Sequence, residues 1–83
     1  MYLNAIQRGD KTFELRVNDC DFIVGEEVIL REWDFAQYTG RAVRVKITYL
    51  LDLSDFIKDD RPWVVFSIRV LWFYSNYNSA NMN

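Results

Sequence analysis

Apolar and polar side chains alternate with a period of two through much of this 83-residue chain, and that rhythm constrains its fold most. Successive side chains of a strand point to opposite faces, whereas a helix brings every third or fourth residue to one face. In residues 12–17, Phe13, Leu15 and Val17 point one way and Thr12, Glu14 and Arg16 the other, which predicts a half-buried strand with a polar face. Residues 27–33 predict a second strand, with Val28 and Leu30 on one side and Ile29, Arg31 and Trp33 on the other. Apolar residues on both its faces imply a strand covered twice or closed into a barrel. Residues 42–51 predict a third, with Val43, Val45, Ile47 and Tyr49 inward and Arg44, Lys46 and Thr48 outward. Pro62 is suited to open a fourth, since the first residue of a strand need not donate to the ladder. Val64, Phe66, Ile68 and Val70 make its expected inner face.

Two short stretches follow the helical period instead. In residues 2–8, Leu3 and Ile6 are three apart and Tyr2 and Ile6 four apart, with Gly9 where a helix commonly ends. Leu53, Phe56 and Ile57 fit a single helical turn in an acidic loop. Asn18-Asp19, Val24-Gly25-Glu26 and Tyr38-Thr39-Gly40-Arg41 supply turn chemistry between the strands. The reading is a mainly β chain with short helices (α+β), a curled antiparallel sheet forming a small β-barrel. One domain is expected over residues 1–74, followed by a polar, disordered tail at 75–83.

Composition excludes several chemistries. The chain has no histidine, so Ser-His-Asp and Cys-His catalysis and histidine metal sites are ruled out. Any catalysis must run on Lys, Glu, Asp, Thr or Tyr. Cys20 is the single cysteine, which leaves no internal disulfide and reads as a free cytosolic thiol. No metal and no cofactor are expected. The apolar run at 71–74 is far short of the roughly 20 residues a membrane span needs, and no signal-peptide pattern opens the chain. A cytoplasmic protein without membrane contact is the expectation. Net charge is −2 with a pI near 4.9, unlike a non-specific nucleic-acid binder. Yet the charged residues of 35–51 are Arg41, Arg44 and Lys46, all basic, whereas 52–60 holds Asp52, Asp55, Asp59 and Asp60 against Lys58. A local basic strip on an acidic protein suits a small or single-stranded ligand.

Gly9-Asp10-Lys11-Thr12-Phe13-Glu14-Leu15-Arg16 matches the pattern Gly-x-Lys-x-x-Glu-x-Arg at the junction of first helix and first strand. The similarity continues through Asn18-Asp19, Phe22, Val24-Gly25-Glu26, Leu30-Arg31-Glu32-Trp33 and Tyr38-Thr39-Gly40-Arg41. In these features the chain resembles the ASCH (activating signal cointegrator homology) domain family, in particular short bacterial and phage members of uncharacterised function. The resemblance implies a PUA-like β-barrel with a cleft beside the signature. It implies RNA or a nucleotide as partner. Some members of similar fold are amidohydrolases on N4-acylcytidine. Such relatives usually carry a short apolar strand before the first helix, which this sequence lacks. The resemblance therefore implies a truncated or misassigned start, or an open edge filled by the C-terminal segment or by a second subunit in a homodimer.

Each signature residue has a plain reading beside its functional one. Glu14 and Arg16 share a strand face and make either a structural ion pair or a base- or phosphate-reading pair. Lys11 is a solvated lysine or a phosphate anchor, and with a lowered pKa a general base. Gly9 caps a helix, and its lack of a side chain also lets a ligand approach. Thr12 invites a nucleophile reading, but the amidohydrolase relatives place their reactive threonine where this chain has Glu14. If the chain is an enzyme, Lys11, Thr12 and Glu14 are the residues to carry it. Trp33, Tyr38 and Trp63 are either rim packing or base-stacking surfaces, Tyr38 first because Thr39, Gly40 and Arg41 adjoin it. Trp72, Phe73 and Tyr74 read as core or interface. The expected ligand site is thus Gly9, Lys11, Thr12, Glu14, Arg16, Tyr38 and Arg41. The alternatives are an amidohydrolase on modified nucleosides and a small interaction module working through an exposed sheet edge.

Overall fold

The computed structural model describes residues 3–77. Its elements run α1 (Leu3–Gln7), β1 (Phe13–Val17), β2 (Glu27–Trp33), β3 (Tyr38–Asp52) and β4 (Trp63–Tyr74). The four strands form one antiparallel sheet in the order β1-β4-β3-β2, curled into a half-barrel. β1 and β2 are its two edges and do not pair with each other, so the barrel is not closed by hydrogen bonds. No helix among the described residues is long and apolar enough to cross a membrane.

The concave face holds the core. Val43, Val45 and Ile47 of β3 and Val64, Phe66 and Ile68 of β4 are buried there with Leu30 of β2, as their alternation predicts. Five residues are too few for a stable free helix, and α1 is held by docking Leu3 and Ile6 into this core. Gly9 ends the helix at φ 81°. The amide of Asp10 donates to the Ala5 carbonyl at 2.9 Å and that of Gly9 to the Ile6 carbonyl at 3.0 Å. That pair of bonds is a Schellman cap, which needs the left-handed conformation glycine adopts freely. The helical turn expected at Leu53 exists as one turn closed on the Leu53 carbonyl, which accepts the amides of Phe56 at 2.9 Å and Ile57 at 2.8 Å.

Three inward assignments are corrected. Phe13 and Leu15, expected inside, are 49% and 48% exposed, while Glu14 is 5% exposed. The alternation of β1 is real but turned over, because Glu14 pairs with Phe66 and Arg16 with Val64, both on the concave side. Tyr49, expected inward, is 65% exposed. Ile47 pairs with Ile68 but Tyr49 with Ser67, so Thr48 is an extra residue that reverses the faces after it. Leu50 consequently packs on the core. Val70 is also exposed, next to a second bulge, at Leu71, between the Arg44–Trp72 and Val45–Val70 pairs. The run Leu71, Trp72 and Phe73 lies on the surface rather than in the core.

β3 begins earlier than expected, at Tyr38, where Tyr38 pairs with Trp33. Beyond β4, the amide of Tyr77 donates to the Gly40 carbonyl at 2.6 Å. A Cβ on Gly40, at φ 94°, would lie 3.6 Å from the Ser75 carbonyl oxygen. Tyr2 of the expected helix and residues 78–83 of the expected tail lie outside the described residues.

Candidate ligand-binding site

The segment from the α1 cap into β1 is fixed at both ends. The Ala5 carbonyl accepts the amides of Asp10 and Lys11, at 2.9 and 3.1 Å. The Thr12 carbonyl accepts the amide of Ile68 at 3.0 Å. Between those anchors Lys11 is swung over β1, where its Nζ donates to Glu14 Oε1 and lies 5.7 Å from the centre of the Phe13 ring. Arg16 Nε donates to the other carboxylate oxygen, Oε2, at 2.9 Å. Glu14 is therefore gripped by two cations, one through each oxygen.

Burial sets the strength of this arrangement. The side chain of Glu14 is 6% exposed and that of Lys11 15%, while that of Arg16 remains 43% exposed. A carboxylate withdrawn this far from water must be paired, and the two cations provide that. Arg16 spends only Nε on Glu14, which leaves the two terminal nitrogens of its guanidinium for another acceptor. An open recess of about 690 Å³ lies here, lined by Lys11, Glu14 and Arg16 with Ala5, Asp10 and the apolar Phe13 and Leu15. Residues from both faces of β1 border it because it runs along the strand's unpaired edge.

The other expected site residues fall elsewhere. Gly9 shapes the segment without lining the recess. Thr12 is exposed and does not line it, and its lining holds no serine, threonine or cysteine. Arg41 sits on the far side of α1, bonded to Asn4 Oδ1 at 2.7 Å and to Glu32 Oε2 at 3.3 Å. It borders a second recess of about 350 Å³ with Leu3, Gln7 and Phe73. Tyr38 stands at the β2–β3 hairpin with the Arg31 guanidinium 3.6 Å from its ring centre and Trp33 edge-on at 5.0 Å. One of its faces is thus already occupied. Trp63 carries Arg61 at 4.9 Å. Cys20 is exposed, and a hydrogen bond to the Asp19 carboxylate, with that group's charge, raises its thiol pKa. That holds it in the unreactive thiol form.

Sequence reasoning missed Ala5 and Asp10 as part of the recess. The signal for Asp10 was its place inside the Gly9–Arg16 motif. Ala5 contributes a backbone carbonyl, which side-chain chemistry does not reveal.

Residues 1–68 match a family model described as a domain of unknown function, DUF3850. The chain belongs to this family. The matched span of the DUF3850 domain contains α1, β1, β2 and β3 and every residue that lines the larger recess. The domain is also similar to an uncharacterized 12.9 kDa protein in the GpA 3′ region of Escherichia phage P2, 38% identical over 58 residues. That similarity covers 70% of this chain and 53% of the relative, so this chain spans about half the length of the phage protein it matches.

Proposed function

We propose that this DUF3850 domain is a binding module of PUA-like, ASCH type that takes RNA or a nucleotide in the recess beside Gly9, Lys11, Glu14 and Arg16. The observation that carries this reading is the two-cation grip on Glu14. It sets the Arg16 guanidinium at the recess with two donors in a planar fork, the geometry that matches a phosphate or the edge of a base. Apolar Phe13 and Leu15 line the same recess, which gives a nucleobase a surface beside the charged group. The whole chain is acidic, so affinity comes from a few placed contacts rather than from bulk charge. A hydrolytic reading on acylated nucleosides is left with Lys11 and Glu14 alone, because Thr12 stands outside the recess.

Fluorescence anisotropy with labelled mixed-sequence RNA oligomers, and competition by free nucleotides, tests the binding reading at low salt. Arg16→Ala is the decisive variant, since Arg16 is partly exposed and its loss leaves Lys11 on Glu14. Saturable binding that Arg16→Ala weakens roughly tenfold or more, with a salt slope of only a few phosphates, is the expected result. No saturable signal with any oligomer or nucleotide overturns it.

A further inference from the structure

The convex side of the sheet carries an apolar surface that no described residue covers. Phe13, Ser67 and Tyr49 form one row across β1, β4 and β3, and Leu15, Val65 and Leu51 form the next. Leu51 is 41% exposed, alongside the half-exposed Phe13 and Leu15 and the largely exposed Tyr49. Single apolar residues on a surface need no explanation, but adjacent rows across three strands make a contiguous patch.

Charge around the patch is arranged in two opposed ends. Before Tyr49, Lys46 and Arg69 pair directly across β3 and β4 on the convex side. Like charges in that relation destabilise a sheet, and neither makes an ion pair among the described residues. After Leu51 the chain enters the acidic 52–60 segment. There Arg61 engages Asp59, while Asp55 and Asp60 make no ion pair among the described residues. An apolar centre thus separates Lys46 and Arg69 from a segment that stays net acidic, with Asp55 and Asp60 against Lys58.

We propose that this convex face is an interface with a second copy of the same chain. A two-fold contact brings one patch against itself. With the axis between the two apolar rows, hydrocarbon meets hydrocarbon, and Lys46 and Arg69 of each copy come over the acidic segment of the other. That is the apolar centre and charged rim of a protein interface. A single-stranded nucleic acid fits Lys46, Arg69 and Tyr49 but is repelled by the acidic end. It also finds neither ring nor cation in the Leu15–Val65–Leu51 row. The interface lies on the sheet face rather than along the open edge of β1. It shares Phe13 and Leu15 with the recess, so its test uses Tyr49, Leu51 and the charged ends, none of which lines the recess.

Light scattering and sedimentation across a wide concentration range test this. The wild-type chain is expected to move toward twice its 10.0 kDa mass as concentration rises. Leu51→Glu and Tyr49→Glu, both at exposed positions, should remain monomeric with an unchanged far-ultraviolet spectrum. Lys46→Glu/Arg69→Glu and Asp55→Lys/Asp60→Lys should each be monomeric alone and form a heterodimer when mixed. A wild-type monomer at every concentration overturns the proposal. So does a dimer that survives Leu51→Glu, or a charge-reversed pair that fails to associate on mixing.

Discussion

Glu14 stands directly opposite Phe66 across the β1–β4 ladder, so a carboxylate occupies a position on the concave face beside the largest core side chain. Lys11 and Arg16 make that tolerable by pairing its two oxygens. Removing one partner of a buried charge costs more than removing both. Lys11→Met should destabilise the domain by about 1–3 kcal/mol, because one Glu14 oxygen loses its donor. The double variant Lys11→Met/Glu14→Met should recover most of that loss in urea denaturation, since Arg16 is free to turn to water. An equal loss in single and double variants would show that the buried charge is not what sets the cost.

The recess also depends on α1, which is too short to persist without docking. Ile6→Ala removes one of its two core contacts and should cost about 2–5 kcal/mol. Gly9→Ala tests the cap separately. A Cβ there meets nothing within 4 Å, so the penalty is backbone strain alone, roughly 1–2 kcal/mol. Thermal denaturation should rank Ile6→Ala below Gly9→Ala. Hydrogen exchange at the Asp10 and Lys11 amides, whose acceptor is Ala5, should speed up in both.

Thr48 carries the register of β3. Its hydroxyl bonds Ser67 Oγ at 2.8 Å on the exposed side, so Thr48→Ala should cost no more than about 1 kcal/mol. Deleting Thr48 is a different change. It removes the bulge and leaves Ile47 and Tyr49 as successive partners of Ile68 and Ser67, so Leu50 stays inward and Tyr49 and Leu51 outward in an unbroken alternation. The deletion should therefore keep cooperative unfolding and the exposure of Tyr49, as Thr48→Ala does. A deletion variant that loses cooperative unfolding would mean that the curl of the sheet needs the bend the bulge supplies.

The contrast between these elements shows what a period-two pattern carries. It marks faces, and at Val43, Val45, Ile47, Val64, Phe66 and Ile68 the apolar face is the buried one. In β1 the same rule picks the wrong face, because hydrophobicity alone cannot register that Lys11 and Arg16 neutralise Glu14 across three and two residues. Polar contacts that local in sequence are visible only once the chain has turned at Gly9. The bulge at Thr48 leaves no compositional mark, so the alternation that places Tyr49 inward is one that the chain interrupts. The clustering of Lys11, Glu14 and Arg16 was legible from the motif. The separation of Arg41 and Tyr38 from them was not, since it depends on which side of α1 each strand end emerges.

The acidic segment gives a pH prediction with a definite sign. The Arg61 guanidinium and backbone amide hold Asp59 far below its ordinary carboxyl value, and the Ser54 backbone amide and hydroxyl lower Asp52 as well. A carboxyl whose folded pKa is depressed adds stability that is fully present above the unfolded value, near 3.8. That contribution is lost as pH falls from there through the folded value. Between pH about 5 and 8 neither group should make the denaturation midpoint vary. Below that range the wild-type midpoint should fall, and Asp59→Asn, which has no carboxyl to protonate, should fall less steeply. The two curves should therefore converge toward the acid end. Parallel curves down to the lowest pH that the fold survives would mean that Arg61 does not hold Asp59 in solution.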